Sequence, residues 1–147
     1  MSSGNNYLLN TGSKMMSVSI VKVLNDEPLN MSALKVLAEN SFDSILVTDA
    51  SRQARIIYSN KAFKNLTGYG SKEVVGKTPK ILQGPATDKK VIARLSSALR
   101  QGIVFEGKAI NYKKNRTPFI MDWRVIPAKV AGETKAWIAI QREASSI

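Results

Sequence analysis

Three successive β-strands are predicted by residues 103–142, which read IVFEGKAINYKKNRTPFIMDWRVIPAKVAGETKAWIAIQR. The stretch alternates β-branched and aromatic residues with polar ones, and this pattern places strands at about 103–112, 117–126 and 135–142. A short polar turn joins the first two strands, and a loop containing Gly132 joins the last two. Because short connections link neighbouring strands that run in opposite directions, we expect one antiparallel sheet.

Side chains alternate between the faces of a strand, so the residues of these three strands can be divided into two faces. One face combines large aromatic side chains, small residues and two carboxamides. Its members are Phe105, Gly107, Ala109, Asn111, Phe119, Met121, Trp123, Val125, Trp137, Ala139 and Gln141. A carboxamide buried among apolar groups costs about 1–3 kcal/mol unless it is hydrogen-bonded. Asn111 and Gln141 therefore either face a planar ligand placed over the small residues, or bond each other or the backbone near the strand ends.

The opposite face mixes isoleucines, among them Ile110, Ile120, Ile138 and Ile140, with charged side chains. So large an apolar surface is not expected to face water. Either an N-terminal helix or a second copy of the chain should cover it, and we predict a homodimer in which the N-terminal segment takes part.

The sequence before these strands predicts an N-terminal arm or cap at residues 1–29 and one domain at residues 30–147. A helix should begin near Asn30, and two short strands joined as a hairpin follow at 44–49 and 55–59. Several short helices then precede the three late strands. This order of elements predicts an α+β fold.

Composition excludes several classes of chemistry, because the 147 residues include neither cysteine nor histidine. The chain therefore lacks a thiolate nucleophile, thiolate metal ligands and the commonest general base, and its dispersed carboxylates form no recognisable acid–base pair. We expect no enzyme. No stretch approaches the roughly 18 apolar residues of a membrane helix, and no signal pattern opens the chain, so the expected location is the cytoplasm without membrane contact.

The formal net charge of +11, from 22 basic and 11 acidic residues, raises the question of a nucleic-acid partner. The basic residues are spread along the sequence, and neither a helix-turn-helix pattern nor an aromatic-rich RNA-binding motif accompanies them. The sequence therefore favours a solvated basic surface over a nucleic-acid site.

Five motifs carry a resemblance to a known family: ILVTDA at 45–50, YSNKAFKNLTGY at 58–69, LQGPATD at 82–88, NYKKNRTPF at 111–119 and IAIQRE at 138–143. In this order they resemble the PAS superfamily, and within it the light-oxygen-voltage (LOV) flavin domains. The resemblance implies a five-stranded antiparallel sheet with short helices packed on one face and an N-terminal helical cap.

The resemblance also identifies a missing nucleophile. In LOV domains an Asn-Cys-Arg triplet precedes Leu-Gln-Gly, and its cysteine attacks the flavin under blue light. The matching residues here are Thr78, Pro79 and Lys80, so this chain cannot form the cysteinyl adduct. Lys80 keeps a positive charge where the family has a phosphate-binding arginine, whereas the family's other phosphate arginine matches Ser96.

Other flavin contacts of the family are kept in part, since Gln83, Asn111 and Gln141 match their positions. The asparagine that reads the flavin ring matches Met121, and a leucine over the ring matches Trp123, which could fill part of the pocket. The resemblance implies the cofactor FMN, with FAD or no ligand as open alternatives. The expected binding residues are Thr78, Lys80, Gln83, Asn111, Met121, Trp123 and Gln141.

Together these features predict a stand-alone sensory and signalling module that changes its protein contacts without forming a covalent adduct. Gln141 is the expected switch, because a carboxamide can rotate when the flavin N5 changes from acceptor to donor on reduction. Only six residues follow Gln141, so we expect the effector to be a separate protein. The alternative is a ligand-free dimerisation module in which Trp123 and Trp137 fill the cavity.

Overall fold

The computed structural model describes residues 27–147 of the chain. The chain divides into two compact units, one ending at Asn40 and the other comprising Ser41–Ile147. The first unit contributes helix α1 (Glu27–Glu39), which begins slightly before the predicted start. The predicted arm or cap lies almost wholly outside the described residues, and its role stays a prediction.

The second unit contains the whole sheet. In chain order its elements are β1 (Ser44–Asp49), β2 (Ile56–Ser59), α2 (Lys61–Thr67), α3 (Ser71–Val74), a 3-10 helix (Pro79–Leu82), α4 (Lys89–Gln101), β3 (Phe105–Tyr112), β4 (Pro118–Val130) and β5 (Glu133–Ala144). The predicted order of two strands, several helices and three strands is confirmed, and the fold is α+β.

The five strands form one antiparallel sheet in the order β2-β1-β5-β4-β3. The last strand of the chain therefore lies at the centre and pairs with the first, with Ser44 opposite Gln141. On its other side β5 pairs with β4, and β4 pairs with β3 from Phe105 opposite Val125 onward. The expected antiparallel sheet of three consecutive late strands is confirmed.

The β4–β5 hairpin is longer than the sequence predicted. Strand β4 was expected to end just before Pro127, but its pairing with β5 continues beyond that residue. Pro127 stays in register, and the irregularity that follows it falls between Ala128 and Lys129. The chain then reverses through Ala131 and Gly132, whose φ angles are 52° and 80°. Two successive left-handed residues give the turn that matches the twist of a tight hairpin, so the strands extend to the turn itself.

Residues 60–104, which we call the helical layer, cover one face of the sheet: α2 contacts β1, α3 contacts β2 and α4 contacts β3. The apolar core lies between this layer and the sheet. From the layer it receives Phe63, Val74, Leu82 and Ala98. We call the covered face of the sheet the inner face and the opposite one the outer face.

Two polar side chains fix where the main helices begin. The Asn60 Oδ1 accepts hydrogen bonds from the backbone nitrogens of Phe63 and Ile45, each at 2.9 Å, so one carboxamide both caps α2 and ties it to β1. Asp88 caps α4 by accepting from the backbone nitrogen of Lys90 at 2.8 Å. Both capping positions follow the preference of helix starts for short polar side chains. Within residues 27–147 no helix is long and apolar enough to span a membrane.

Candidate functional site

The inner face brings together most of the residues that the sequence singled out. Strand alternation places Asn111, Met121, Trp123 and Gln141 on neighbouring strands beneath the helical layer, and their side chains are 5%, 1%, 7% and 3% exposed. The predicted division of β3, β4 and β5 into two faces therefore agrees with the structure. The inner face also includes Ser44, Leu46 and Thr48 of β1, all buried.

Gln141 has a protein partner on the neighbouring strand. Its Oε1 accepts a hydrogen bond from the hydroxyl of Ser44 at 3.0 Å, and both side chains are buried. The pair joins the centre of the sheet to its first strand. The Gln141 carboxamide is thus satisfied at its oxygen without a ligand, which is one of the two possibilities that the sequence left open.

Asn111 is also held by the protein. One end of its carboxamide lies 3.3 Å from the sulfur of Met121, and the other faces the carbonyl oxygens of Leu82 and Ile110 at 3.3 and 3.2 Å. Because carbonyls only accept hydrogen bonds, the amide nitrogen belongs at the carbonyl end. Asn111 therefore connects β3 to the 3-10 helix.

The space above the small residues of the inner face is filled by aromatic side chains. A Cβ added to Gly107 would lie 2.6 Å from the Phe105 ring, so that ring sits directly over the glycine. Trp123 pairs with Gly107 on one side and with Gln141 on the other, at the middle of the face. The Phe105 and Trp123 ring centroids are 5.1 Å apart with the planes tilted by 52°, a favourable aromatic arrangement. The volume that the sequence assigned to a ligand is thus occupied by Phe105 in part.

Exposure gives an independent test of whether a flavin fits. A chamber large enough for a three-ring ligand would admit water, so the side chains lining it would retain appreciable accessible surface. Instead, none of the apolar inner-face side chains, from Met121 at 1% to Ala139 at 8%, keeps much accessible surface. In this conformation the inner face has the amides that a flavin edge would bond, and its apolar side chains are closed to water as in a filled core.

The segment that carries the nucleophile in the resembled family is placed beside this face but differs in character. Pro79 begins the 3-10 helix, and its fixed φ suits that first position. Thr78 and Gln83 flank the helix and are half-buried, whereas Lys80 is exposed. The buried member of the turn is Leu82, at 2% exposure. Of the seven predicted binding residues, Lys80 is therefore the one that the structure leaves at the surface.

Adjacent residues at the start of β1 and the end of β5 are joined on both faces of the sheet. Gln141 bonds Ser44 on the inner face, while Arg142 donates from Nη2 to the Asp43 carboxylate at 2.8 Å on the outer face. We call these two contacts the β1–β5 clamp. A rotation of the Gln141 carboxamide would break a contact to β1, because Ser44 and Gln141 lie opposite each other in the ladder.

Two buried hydroxyls at the β1–β2 side lack hydrogen-bond partners among the described residues: those of Thr48 and Ser59. Neither atom is reached by water, so they do not line a cavity and each carries a desolvation cost.

Surface cavities of about 410 and 510 Å³ lie elsewhere, the first on the outer face and the second between α2 and the β3–β4 turn. Residues 27–147 bring together no group of three or more acidic side chains able to hold a metal ion.

Sequence reasoning missed two of the residues that define the site. Ser44 gave no signal as the partner of Gln141, since 97 positions separate them. The placement of Phe105 did have a signal: residues two apart lie on the same face of a strand, so an aromatic ring beside Gly107 can fold over it.

Comparisons with known proteins agree with this architecture. A family model described as a PAS domain matches residues 43–146. Phototropin-2 of Oryza sativa subsp. japonica is 36% identical over 104 residues, which cover 69% of this chain. The blue-light-activated histidine kinase of Brucella anthropi is 40% identical over 87 residues, which cover 58% of this chain. The matched region is only 12% and 18% of the length of these two relatives.

A similar fold is found among solved structures. One, from work on a flavin analogue and the mechanism of a light-oxygen-voltage domain, superposes with a TM-score of 0.70 at 23% sequence identity. The match covers 83% of this chain and 87% of the other. At that identity the likeness establishes the fold. What occupies the inner face has to be judged from the residues of this chain.

Proposed function

The chain belongs to the PAS domain family, and we propose that it is a sensory signalling module that works through protein contacts with its inner face filled by its own side chains. One observation carries the proposal: the Phe105 ring lies over Gly107 beside a buried Trp123, where the family resemblance implies a ligand. The absence of cysteine supports a mechanism without a cysteinyl adduct.

In this proposal the β1–β5 clamp transmits the signal. Gln141 and Arg142 grip Ser44 and Asp43 from opposite faces, so a shift in the packing around Trp123 changes the contacts of β1. Packed cores switch between discrete arrangements more readily than they deform continuously. A partner protein that binds one arrangement more tightly would shift the domain toward it, and a change of arrangement would in turn alter the binding of that partner.

A second function, non-covalent binding of FMN, is supported by the two buried carboxamides. Asn111 and Gln141 are 5% and 3% exposed at positions that the family resemblance assigns to flavin contacts, with Gln83 half-buried nearby. The Brucella relative is a blue-light-activated histidine kinase, and a response to blue light in this chain would need a chromophore such as FMN. For FMN to bind here, Trp123 and Phe105 would have to move aside.

Reconstitution with FMN separates the two functions. Purified protein should remain colourless after incubation with excess FMN and gel filtration, because its own side chains fill the inner face. Trp123→Leu combined with Ser96→Arg restores two of the family's residues and should increase the retained flavin. Trp137→Leu is the matched control, since it removes an equally buried tryptophan at the far end of the same face and should retain none. Stoichiometric flavin on the unaltered protein would reject the filled inner face in favour of the second function.

We also propose a homodimer formed through the outer face. Its isoleucines, among them Ile138 and Ile140 of the central strand, are half-buried in the single chain, and their burial would be completed by a second sheet. Sedimentation equilibrium should give a concentration-dependent dimer, and Ile138→Glu should shift it to monomer by placing a charge in the interface. A monomer at all concentrations would contradict this proposal.

A further inference from the structure

Charge is distributed unevenly over the domain. The helical layer contains nine basic residues and two acidic ones. All nine basic side chains are exposed. They are Lys61, Lys64, Lys72, Lys77, Lys80, Lys89, Lys90, Arg94 and Arg100. All of them belong to the segment 60–104, which forms the layer that covers the inner face.

The two acidic residues of the layer are already engaged. Asp88 caps α4, and Glu73 pairs with Lys114 of the β3–β4 turn while accepting from the Gly70 nitrogen at 2.7 Å. None of the nine basic side chains forms an ion pair with another described residue. Arg94 alone is tied down, through the Glu106 carbonyl at 3.3 Å. Apart from the attraction between Lys77 and Glu73, the positive charge of the layer is therefore not compensated by residues 27–147.

The outer face of the sheet shows the opposite arrangement. On β3, β4 and the end of β5, acidic and basic side chains lie opposite each other, Asp43 lies beside Arg142, and Asp49 adds an acid at the end of β1. Glu106 pairs with Arg124 at 3.5 Å and Asp43 with Arg142 at 2.8 Å. Lys108 and Asp122 are opposite each other in the ladder. One side of the domain is thus electrically balanced and the other is strongly positive.

The stability of the folded domain does not explain why the helical layer is so rich in basic residues. Lys89 and Lys90 occupy the first turn of α4, where the positive end of the helix dipole disfavours cations. Neighbouring like charges add to that cost. Positive charges that are exposed close together, at a cost to stability, attract a polyanion from a distance. Such a surface is therefore suited to binding one.

The chemistry of the layer favours nucleic acid over a lipid surface. Peripheral helices bind membranes by inserting an apolar face, but the apolar stripe of α4, including Val91 and Leu95, packs against the core. The layer spans a five-stranded sheet, about 20 Å across, which is enough to follow several phosphates. We infer that the helical layer binds the phosphate backbone of nucleic acid without reading its sequence.

Fluorescence anisotropy with the full chain tests this inference. The probes are a labelled random DNA duplex of about 20 base pairs and a single-stranded RNA of similar length, which show whether one or both supply the phosphates. Affinity should fall by about a thousandfold as salt rises from about 50 to 200 mM, if six or more cations contact phosphates. The double variant Lys89→Gln/Lys90→Gln should weaken binding at least about tenfold and reduce the salt slope by about two.

The matched control is Lys108→Gln/Arg124→Gln, which removes the same charge from the outer face and should change affinity less than about twofold. The thermal unfolding midpoint should not fall in Lys89→Gln/Lys90→Gln, because these cations oppose the helix dipole, and it should change little in the control, whose two side chains are exposed. Equal losses in the two variants would overturn the inference, because net charge alone would then account for binding. Absence of salt-sensitive binding to either probe, or preferential binding to phosphatidylserine vesicles, would overturn it as well.

Discussion

The inner-face side chains that the sequence singled out, from Phe105 to Gln141, are uncharged and nearly all buried, whereas on the outer face half-buried isoleucines alternate with charged residues. The two faces belong to the same strands and differ only by the side chains at odd and even positions. Gln141 and Arg142 illustrate the contrast, because these neighbours bond Ser44 in the interior and Asp43 at the surface. The inner face forms the packed core, while the side chains of the outer face can exchange their contacts with water or with another protein.

The comparison predicts unequal costs for the same kind of substitution. Leu46→Ala removes a side chain that is 1% exposed and should lower the free energy of unfolding by about 2–5 kcal/mol. Ile57→Ala on β2, where the side chain is 52% exposed, should cost less than about 1 kcal/mol. Urea denaturation of both variants measures the difference. Similar losses would mean that the two positions are not packed as the structure has them.

A second test compares the two halves of the β1–β5 clamp. A double-mutant cycle of Ser44→Ala and Gln141→Leu should give a coupling of about 1–2 kcal/mol, because the hydrogen bond is shielded from water. The cycle of Asp43→Ala and Arg142→Ala should give about 0.5 kcal/mol or less, since the arginine side chain is 64% exposed. A larger coupling energy for Asp43 and Arg142 would contradict the expectation that the contact between Ser44 and Gln141 is the stronger of the two.

The unpartnered hydroxyl of Thr48 predicts a substitution that stabilises the protein. Thr48→Val keeps the shape of the side chain and removes a buried polar group, so the free energy of unfolding should rise by about 1 kcal/mol. Thr117→Val, at an exposed position beside the β3–β4 turn, serves as the control and should change it by less than about 0.5 kcal/mol. Destabilisation by Thr48→Val would show that the hydroxyl has a partner.

The smallest expected effect is a dependence on pH that arises outside the inner face. The hydrogen bond from Lys114 holds the pKa of Glu73 below its ordinary value, and the Ser51 hydroxyl does the same for the pKa of Asp49. A lowered folded-state pKa stabilises the protein above the unfolded pKa, and this stabilisation is lost as pH falls through the folded pKa. The urea midpoint should therefore decline in acid, and less steeply in Glu73→Gln. An equal decline in both proteins would remove Glu73 from the explanation.

The sequence predicted the inner face well because alternation along a strand is a local property. Asn111 and Gln141 were expected to face inward and are buried. Capping is equally local, because short polar side chains such as Asn60 and Asp88 favour the position just before a helix. The length of the β4–β5 hairpin was not predicted, because a proline inside a ladder and a left-handed alanine in its turn both run against local preference.

The contents of the site were harder to predict, because they depend on contacts across the sheet. Ser44 reaches Gln141 only because the first and last strands pair, a relation that no local pattern encodes. The charge of the helical layer can be counted from the sequence, but only the structure shows that residues 60–104 cover one face of the sheet.

Native mass spectrometry of the gently purified protein tests the filled inner face most directly. The cells should be supplied with riboflavin, so that a flavin is available to any site that can accept it. We predict masses that correspond to the 16.1 kDa polypeptide or whole multiples of it, without bound small molecules. A stoichiometric additional mass, from a flavin or from any other ligand, released on unfolding, would contradict the account.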